Sequence, residues 1–469
     1  MRIFSCSMAL LAIFVAVGIA AAAEPTALDL PQAIKLALQN NYSLKTSEAQ
    51  VEEAEAQTKS ALARFGPIFR AEGQMLQWNE AYDIDVMDFI KLSPDVKLLL
   101  DSIVGAIPPI EMRADYTEQF MITAIQPLTP LYSVYQGYQA RSAGEQAVKR
   151  LGERTRQEVV FQTIEAYYRV LSVQKMEEVA RAAVETVTAH VEQAKEFEAQ
   201  EFIGRAEMLA AEVELANVQE MHIRAQSGLS LARSALAHQL GLPLDSELVL
   251  KEDDFIVPTN LPVNVQQAQE SALSRRGDLA AVRGKAKALE AVEKLAWWDL
   301  TPTVAGIARY QYTQGIILYE ETEMFAGLSL QWNFWEWGRK YHDARAAEAL
   351  AKQARWKARE VESLVQLQAK QKLQELEAAM LRYNIATKAA AQAEENLRIQ
   401  QLRFQENLSE SLKVTDAQTL LTRAQSNLIA ARYDVLTNLA ALRLAMGNDP
   451  GRVPESAAPV ASPDPGAGE

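Results

Sequence analysis

Apolar positions recur along this chain with two different periods. Between Met208 and Leu236 they fall alternately three and four residues apart, at Met208, Ala211, Leu215, Val218, His222, Ala225, Leu229, Ala232 and Leu236. A second stretch repeats the spacing at Val414, Ala417, Leu421, Ala424, Leu428, Ala431, Val435, Asn438 and Leu442. Such spacing over several heptads predicts coiled-coil seams. Alanine at recurring seam positions predicts closely approaching helices. Gly241 and Gly447 follow these runs and read as helix stops. Long helices are also predicted over 141–200 and 342–405, rods of about 90 Å at 1.5 Å per residue.

Four other stretches alternate instead with a period near two. They run from Ile68 to Trp78, Ala114 to Gln126, Thr303 to Gly315 and Met324 to Trp335. Lengths of ten to fourteen residues suit a tilted membrane strand as well as an ordinary sheet. A lipid-exposed sheet cannot keep open edges. Four strands cannot close a barrel alone, so several chains would have to pool them. Two chains would give eight strands and a filled interior. Three would give twelve and room for a conduit.

The pattern is written twice. Shifting the chain by 235 residues aligns Ala33 with Ala268, Leu44 with Leu279, Lys59 with Lys294 and Pro67 with Pro302 without a gap. A shift of 206 aligns the two seams. This predicts an internal duplication. Residues 24–241 form one structural repeat, with a β-hairpin at 65–128 and a helical hairpin at 140–241. Residues 242–447 form the second, with a β-hairpin at 302–337 and a helical hairpin at 342–447.

The termini add a compartment. Arg2, an apolar run from Met8 to Ile19 and the small residues Ala21, Ala22 and Ala23 read as a signal peptide over residues 1–23. Cys6, the sole cysteine, lies in that segment. Its cleavage would leave no thiol. Residues 448–469 are rich in Pro, Ala and Gly and are expected to be disordered.

Five of the seven tryptophans gather where strands meet helices: Trp297, Trp298, Trp332, Trp335 and Trp337. Tryptophan favours the membrane–water boundary, where its ring is half apolar and its N–H finds a partner. A buried cluster between sheet and helices is the competing account. The net charge of −14 argues against nucleic acid as a partner. His190, His222, His238 and His342 are scattered, and no phosphate loop or nucleophile motif occurs. No enzyme activity, metal or cofactor is expected.

With these elements in order, the chain resembles the TolC-like outer-membrane efflux protein family from about Leu28 to Gly447. "LDLPQAIKLALQNNYSLKTSEAQVEEAEAQTKSALARFGP" looks like that family's first helix. "QPLTPLYSVYQGYQARSAGEQA" and "LSLQWNFWEWGRKYHDARAAEA" resemble its two strand-to-helix passages. The stretch from Leu402 to Gly447 resembles its last helical hairpin. The resemblance implies an α+β membrane protein: a homotrimer whose twelve-stranded outer-membrane β-barrel, four strands per chain, continues into a periplasmic α-helical coiled-coil barrel. It implies a channel of a tripartite efflux or type I secretion system. The partners would be outer-membrane lipid, a periplasmic adaptor (membrane fusion protein) and an inner-membrane pump. A periplasmic coiled-coil adaptor or scaffold without a pore is the alternative.

The same resemblance places the periplasmic gate at the helical tips. Asn407 stands where a turn glycine is usual, and Phe404 where tyrosine is frequent. Ser409 falls at a basic position. Lys413 and Asp416 fall where an acidic pair faces the pore. In the other tip, Glu201 and Glu207 match Asn407 and Lys413 under the 206-residue shift. Glu207 and Lys413 are expected to pair near the pore mouth. The long loop 79–113, with an amphipathic stretch from Asp95 to Ile107, is expected outside the cell, where it would cap or decorate the barrel.

Overall fold

The computed structural model describes residues 27–84, 93–104, 109–252, 258, 260–317, 319–406 and 408–451. The expected leader with Cys6, the loop residues 85–92 and 105–108, Asn407, and the tail beyond 451 lie outside them.

Two short helices open the described chain, α1 (Leu30–Asn40) and α2 (Tyr42–Ala63). Asp29 and Gln32 form a reciprocal capping box on α1, and Asn41 caps α2 through the Ser43 N–H. Strand β1 (Ile68–Gln77), the short β2 (Tyr82–Ile84), helix α3 (Pro94–Val104) and strand β3 (Ile110–Pro127) follow. Then come the long α4 (Pro130–Ala199) and α5 (Arg205–Gln239). The second half repeats the order with α6 (Val265–Arg275), α7 (Gly277–Trp298), β4 (Thr303–Ile316), β5 (Thr322–Gln331), α8 (Arg339–Gln405) and α9 (Ser411–Ala445). α6 starts on a capping box made by Asn264 and Gln267, like that of α1.

Three boundaries differ by more than three residues from the expected ones. α4 begins at Pro130, eleven residues before the expected start at Arg141, because proline at the first helical turn fixes φ without losing a needed N–H. β3 extends back to Ile110 because β2 pairs with it. β5 ends at Gln331, short of Trp335. Its last partner on β4 is Thr303, and Pro302 before that has no N–H to continue the ladder. The tryptophan band therefore lies in the passage from strand to helix.

The strands form one antiparallel sheet in the order β1-β3-β4-β5, with β2 beside β3. Antiparallel pairing of β3 with β4 joins the two halves of the chain. Among the described residues, the outer edges of β1 and β5 have no strand partner in the chain.

The helices pack as a layer that continues the sheet. α4 and α8, of 70 and 67 residues, are rods of about 100 Å. No helix among the described residues is apolar enough to cross a membrane. Every predicted seam position on α5 and α9 is buried or half-buried. The main core joins α1, α4, α5 and α9 through Ala33, Ile164, Tyr167, Leu236 and Leu436. The Tyr167 hydroxyl lies 3.0 Å from the Leu28 carbonyl oxygen and 2.5 Å from that of Lys251. It thereby ties α4 to the Leu28–Leu250 bridge.

Two glycines fix the bends between long and short helices. Gly241 has φ 68° and packs on Asn40, whose carbonyl oxygen would lie 2.9 Å from an added Cβ. Gly447 has φ 74° and packs on Arg275 and Arg276, whose backbone atoms would lie 2.8 Å away. Only glycine combines that φ with so close an approach.

Candidate functional site: a strand wall and a helical tip

Strand geometry sorts the sheet's side chains into two faces, because alternate residues point opposite ways and directly paired residues share a face. The registers place Phe69, Met75, Phe120, Ile122, Tyr310, Met324, Leu328 and Leu330 together on one face. All are exposed. The other face carries Arg70, Glu72, Gln74, Gln119, Thr123, Arg309, Gln311, Thr313 and Glu323. The sheet therefore has a broad exposed apolar face backed by a polar one, a pattern that suits an apolar surrounding on one side and water on the other.

The tryptophans sit at one end of this sheet. Trp297 and Trp298 close α7, and Trp332, Trp335 and Trp337 follow β5. They are not alike. Trp298 packs against Tyr132 with ring centroids 4.4 Å apart, where helix meets helix. Trp297 lies edge-on to Tyr341, and Trp332 donates its N–H to the Leu300 carbonyl at 3.3 Å. Trp335 and Trp337 contact each other and are 67% and 87% exposed. Trp337 has φ 50° and Gly338 φ 81°, so the chain turns through two left-handed residues into α8. Trp298 is thus packed between helices, whereas Trp335 and Trp337 stand out from the chain's surface.

At the opposite end, α4–α5 and α8–α9 each turn sharply. The Phe202 N–H donates to the Phe197 carbonyl at 2.9 Å, and the Leu408 N–H to that of Arg403 at 2.8 Å. These bonds are the closing contacts of matching helix C-caps. Glu201 takes the left-handed position with φ 60°, an unusual conformation for a residue with a side chain.

The structure distributes the predicted tip residues unevenly. Phe404 is fully buried and packs on Phe197 at 5.2 Å and on the His190 ring at 5.0 Å. Its apolar ring fills the hairpin interior with Leu397, Val414, Ala417 and Leu421. Ser409 donates to Gln400 Oε1 at 3.2 Å. Lys413 and Asp416 are exposed on the first turns of α9. Glu201 is exposed at the other tip. Glu207 does not meet Lys413 within the chain. Its carboxylate accepts from the Ser411 N–H at 3.4 Å instead, across the hairpins. The first turns of a helix present unpaired N–H groups and a partial positive charge, which draw a nearby carboxylate. Asn407 lies outside the described residues.

His190 belongs to this tip and escaped the sequence reading. Its Nε2 lies 2.9 Å from the Ser411 hydroxyl oxygen, and both residues are buried. Burial holds the imidazole pKa below its ordinary value, although the Ser411 contact works the other way. His190 thus bonds as the neutral ring near pH 7. The sequence did carry a signal, since His190 interrupts the apolar positions Val187, Val191 and Ala194 that make the α4 core. His222, a seam position, meets Glu177 on α4 at 2.9 Å.

The family described as outer membrane efflux protein matches residues 268–448, the second half of the chain. No curated protein matches. Among solved structures, the outer-membrane channel OprN superposes with a TM-score of 0.76 at 16% identity, over 90% of this chain and 91% of that one. The outer membrane protein VceC from Vibrio cholerae gives 0.74 at 18% identity, over 89% and 96%. The CmeC outer membrane channel from Campylobacter jejuni gives 0.74 at 15% identity, over 89% and 85%.

Proposed function

We propose that this chain, a TolC-like outer-membrane efflux protein by its fold and the family match of its second half, is the export channel of a tripartite efflux or type I secretion system. One observation carries the reading. The four-stranded sheet has an apolar outer face, a polar inner face and two strand edges that lack partners within the chain. In lipid such edges must be paired, because no water is there to satisfy them. β5 of one copy beside β1 of the next continues the antiparallel alternation. Three copies close a twelve-stranded barrel wide enough to conduct. The long helices then extend the conduit into the periplasm.

The finer parts of the reading follow from placement. The apolar strand face meets outer-membrane lipid, and Trp335 and Trp337 mark its periplasmic border. Glu201, Ser409, Lys413 and Asp416 occupy the far tip, where a periplasmic adaptor joined to an inner-membrane pump would dock and where the channel would narrow. Each repeat, 24–241 and 242–447, supplies one strand pair and one helical hairpin. A scaffold without a pore would leave the apolar strand face uncovered.

Detergent extraction and reconstitution test the reading. The expected result is a heat-resistant trimer from the outer-membrane fraction that forms conducting pores in planar bilayers. Recovery as a soluble monomer that forms no pores would overturn it.

A further inference from the structure

The inner face of the sheet carries its charges in register. Arg70 on β1 pairs with Thr123 on β3, which pairs with Arg309 on β4, which pairs with Phe325 on β5. The next step along the same face is Glu72, Met121, Gln311 and Glu323. Two arginines thus share one rung and two glutamates share the next. The rungs are about 6.8 Å apart, two residues along a strand.

The partners of these groups differ. Arg70 lies 3.6 Å from Glu72, and both are more than half exposed. An exposed pair of this kind is weakly held and open to exchange with a passing ion. Arg309 forms no ion pair among the described residues. Its guanidinium lies over the Phe325 ring at 5.6 Å, and its Nε is buried with no hydrogen-bond partner. Glu323 is diagonal to Arg309 rather than opposite. An arginine and an aromatic ring side by side on a wet wall offer a charge to an anionic group and a face to an apolar one.

Resting on the channel reading above, we propose that these two rungs are the charge-selecting element of the barrel. They accept solutes that carry both charges or none and slow those that carry one. The reason is distance. The separation of the rungs is below the Debye length of about 8 Å at physiological ionic strength, so an ion at one rung feels both. With two positive and two negative groups per chain, the wall is nearly balanced. A singly charged solute gains at one rung and loses at the next. A zwitterion or an amphipathic neutral solute meets no such penalty, and Phe325 supplies apolar contact. Removing one rung unmasks the other.

Reversal potentials of the reconstituted trimer in a salt gradient test this. Arg70→Gln with Arg309→Gln is expected to shift permeability several-fold toward potassium. Glu72→Gln with Glu323→Gln is expected to shift it several-fold toward chloride. Arg70→Lys with Arg309→Lys keeps the charge and is expected to keep the wild-type ratio. If a double variant does not yield trimer, the single variants Arg309→Gln and Glu323→Gln carry the same test with smaller shifts. Opposite shifts support the proposal, because merely structural damage has no reason to change sign with the charge removed. Unchanged ratios, or shifts of one sign, in variants that still conduct would overturn it. A wild-type protein that forms no pore would overturn the channel reading along with it.

Discussion

The bends at Gly241 and Gly447 use one backbone solution and two different side-chain solutions. Each glycine takes a left-handed φ and presses on the end of a short helix, α1 at Asn40 in one case and α6 at Arg275 in the other. Around the first bend, Asn41 caps α2 and donates to the Gln239 carbonyl at 3.1 Å. Around the second, Arg276 stands at the corresponding position, buried, with Asp278 at 2.5 Å and Gln368 Oε1 at 2.7 Å. The tips repeat the lesson. Their turns close by matching backbone bonds, yet the His190–Ser411 contact belongs to one hairpin pairing only. Under the 206-residue shift the counterparts are Asn396 and Arg205. At Gly241 and Gly447 the left-handed φ and the close facing backbone leave room for glycine alone, whereas polar groups need only find some partner.

The largest effect is expected from Asp278→Ala. It strips a buried arginine of its counter-charge, which costs on the order of 3 kcal/mol. The detergent-solubilised protein should lose thermal stability, and Arg276→Leu with Asp278→Leu should recover part of it. Burial alone would raise the Asp278 carboxyl, but the Arg276 hydrogen bonds and charge outweigh it and hold its pKa below the ordinary value. Its contribution is therefore complete above the usual carboxylate pKa of about 3.9 and fades below it. Wild type and Asp278→Ala should converge in stability only in strong acid.

The glycine bends come next. Gly447→Ala and Gly241→Ala should each cost about 2 kcal/mol from the left-handed φ, and more from contact with the facing backbone. Two similar losses of melting temperature would confirm a shared backbone solution. A large loss in one and none in the other would break the comparison. Asn41→Ala removes a helix cap and one neutral hydrogen bond to the Gln239 carbonyl, at about 1–2 kcal/mol together. A loss matching that of Asp278→Ala would show that the two bends are chemically equivalent after all.

The smallest effect lies at the tip. His190 has a folded pKa below its unfolded value, so the unfolded chain binds the extra proton. Stability should therefore fall as pH drops through the ordinary histidine range. Protection of residues 190–205 against hydrogen exchange, measured relative to the intrinsic rate at each pH, should fall on acidification from pH 7.5 to 5.5 in wild type. In His190→Asn, which cannot titrate, it should not.

Much was legible because it depends on period and spacing alone. Both seams, the glycine stops, the strand stretches and the duplication follow from side-chain periodicity and from turns that only glycine makes. The resemblance carried the fold, and the family match of residues 268–448 agrees with it. The strand's true end at Gln331 was not legible, because a ladder ends where its partner does, and that partner begins at Thr303.

The tertiary structure decided which predicted residues touch. Phe404 proved to be interior packing, Glu207 turned to the α9 N-terminus rather than to Lys413, and His190 emerged as a tie between hairpins. It also set the registers that bring Arg70 level with Arg309 and Glu72 level with Glu323 from positions more than two hundred residues apart. Local periodicity says which way a side chain faces. Only the pairing of distant strands and helices fixes its neighbour, because that pairing is chosen by the packing of the whole layer.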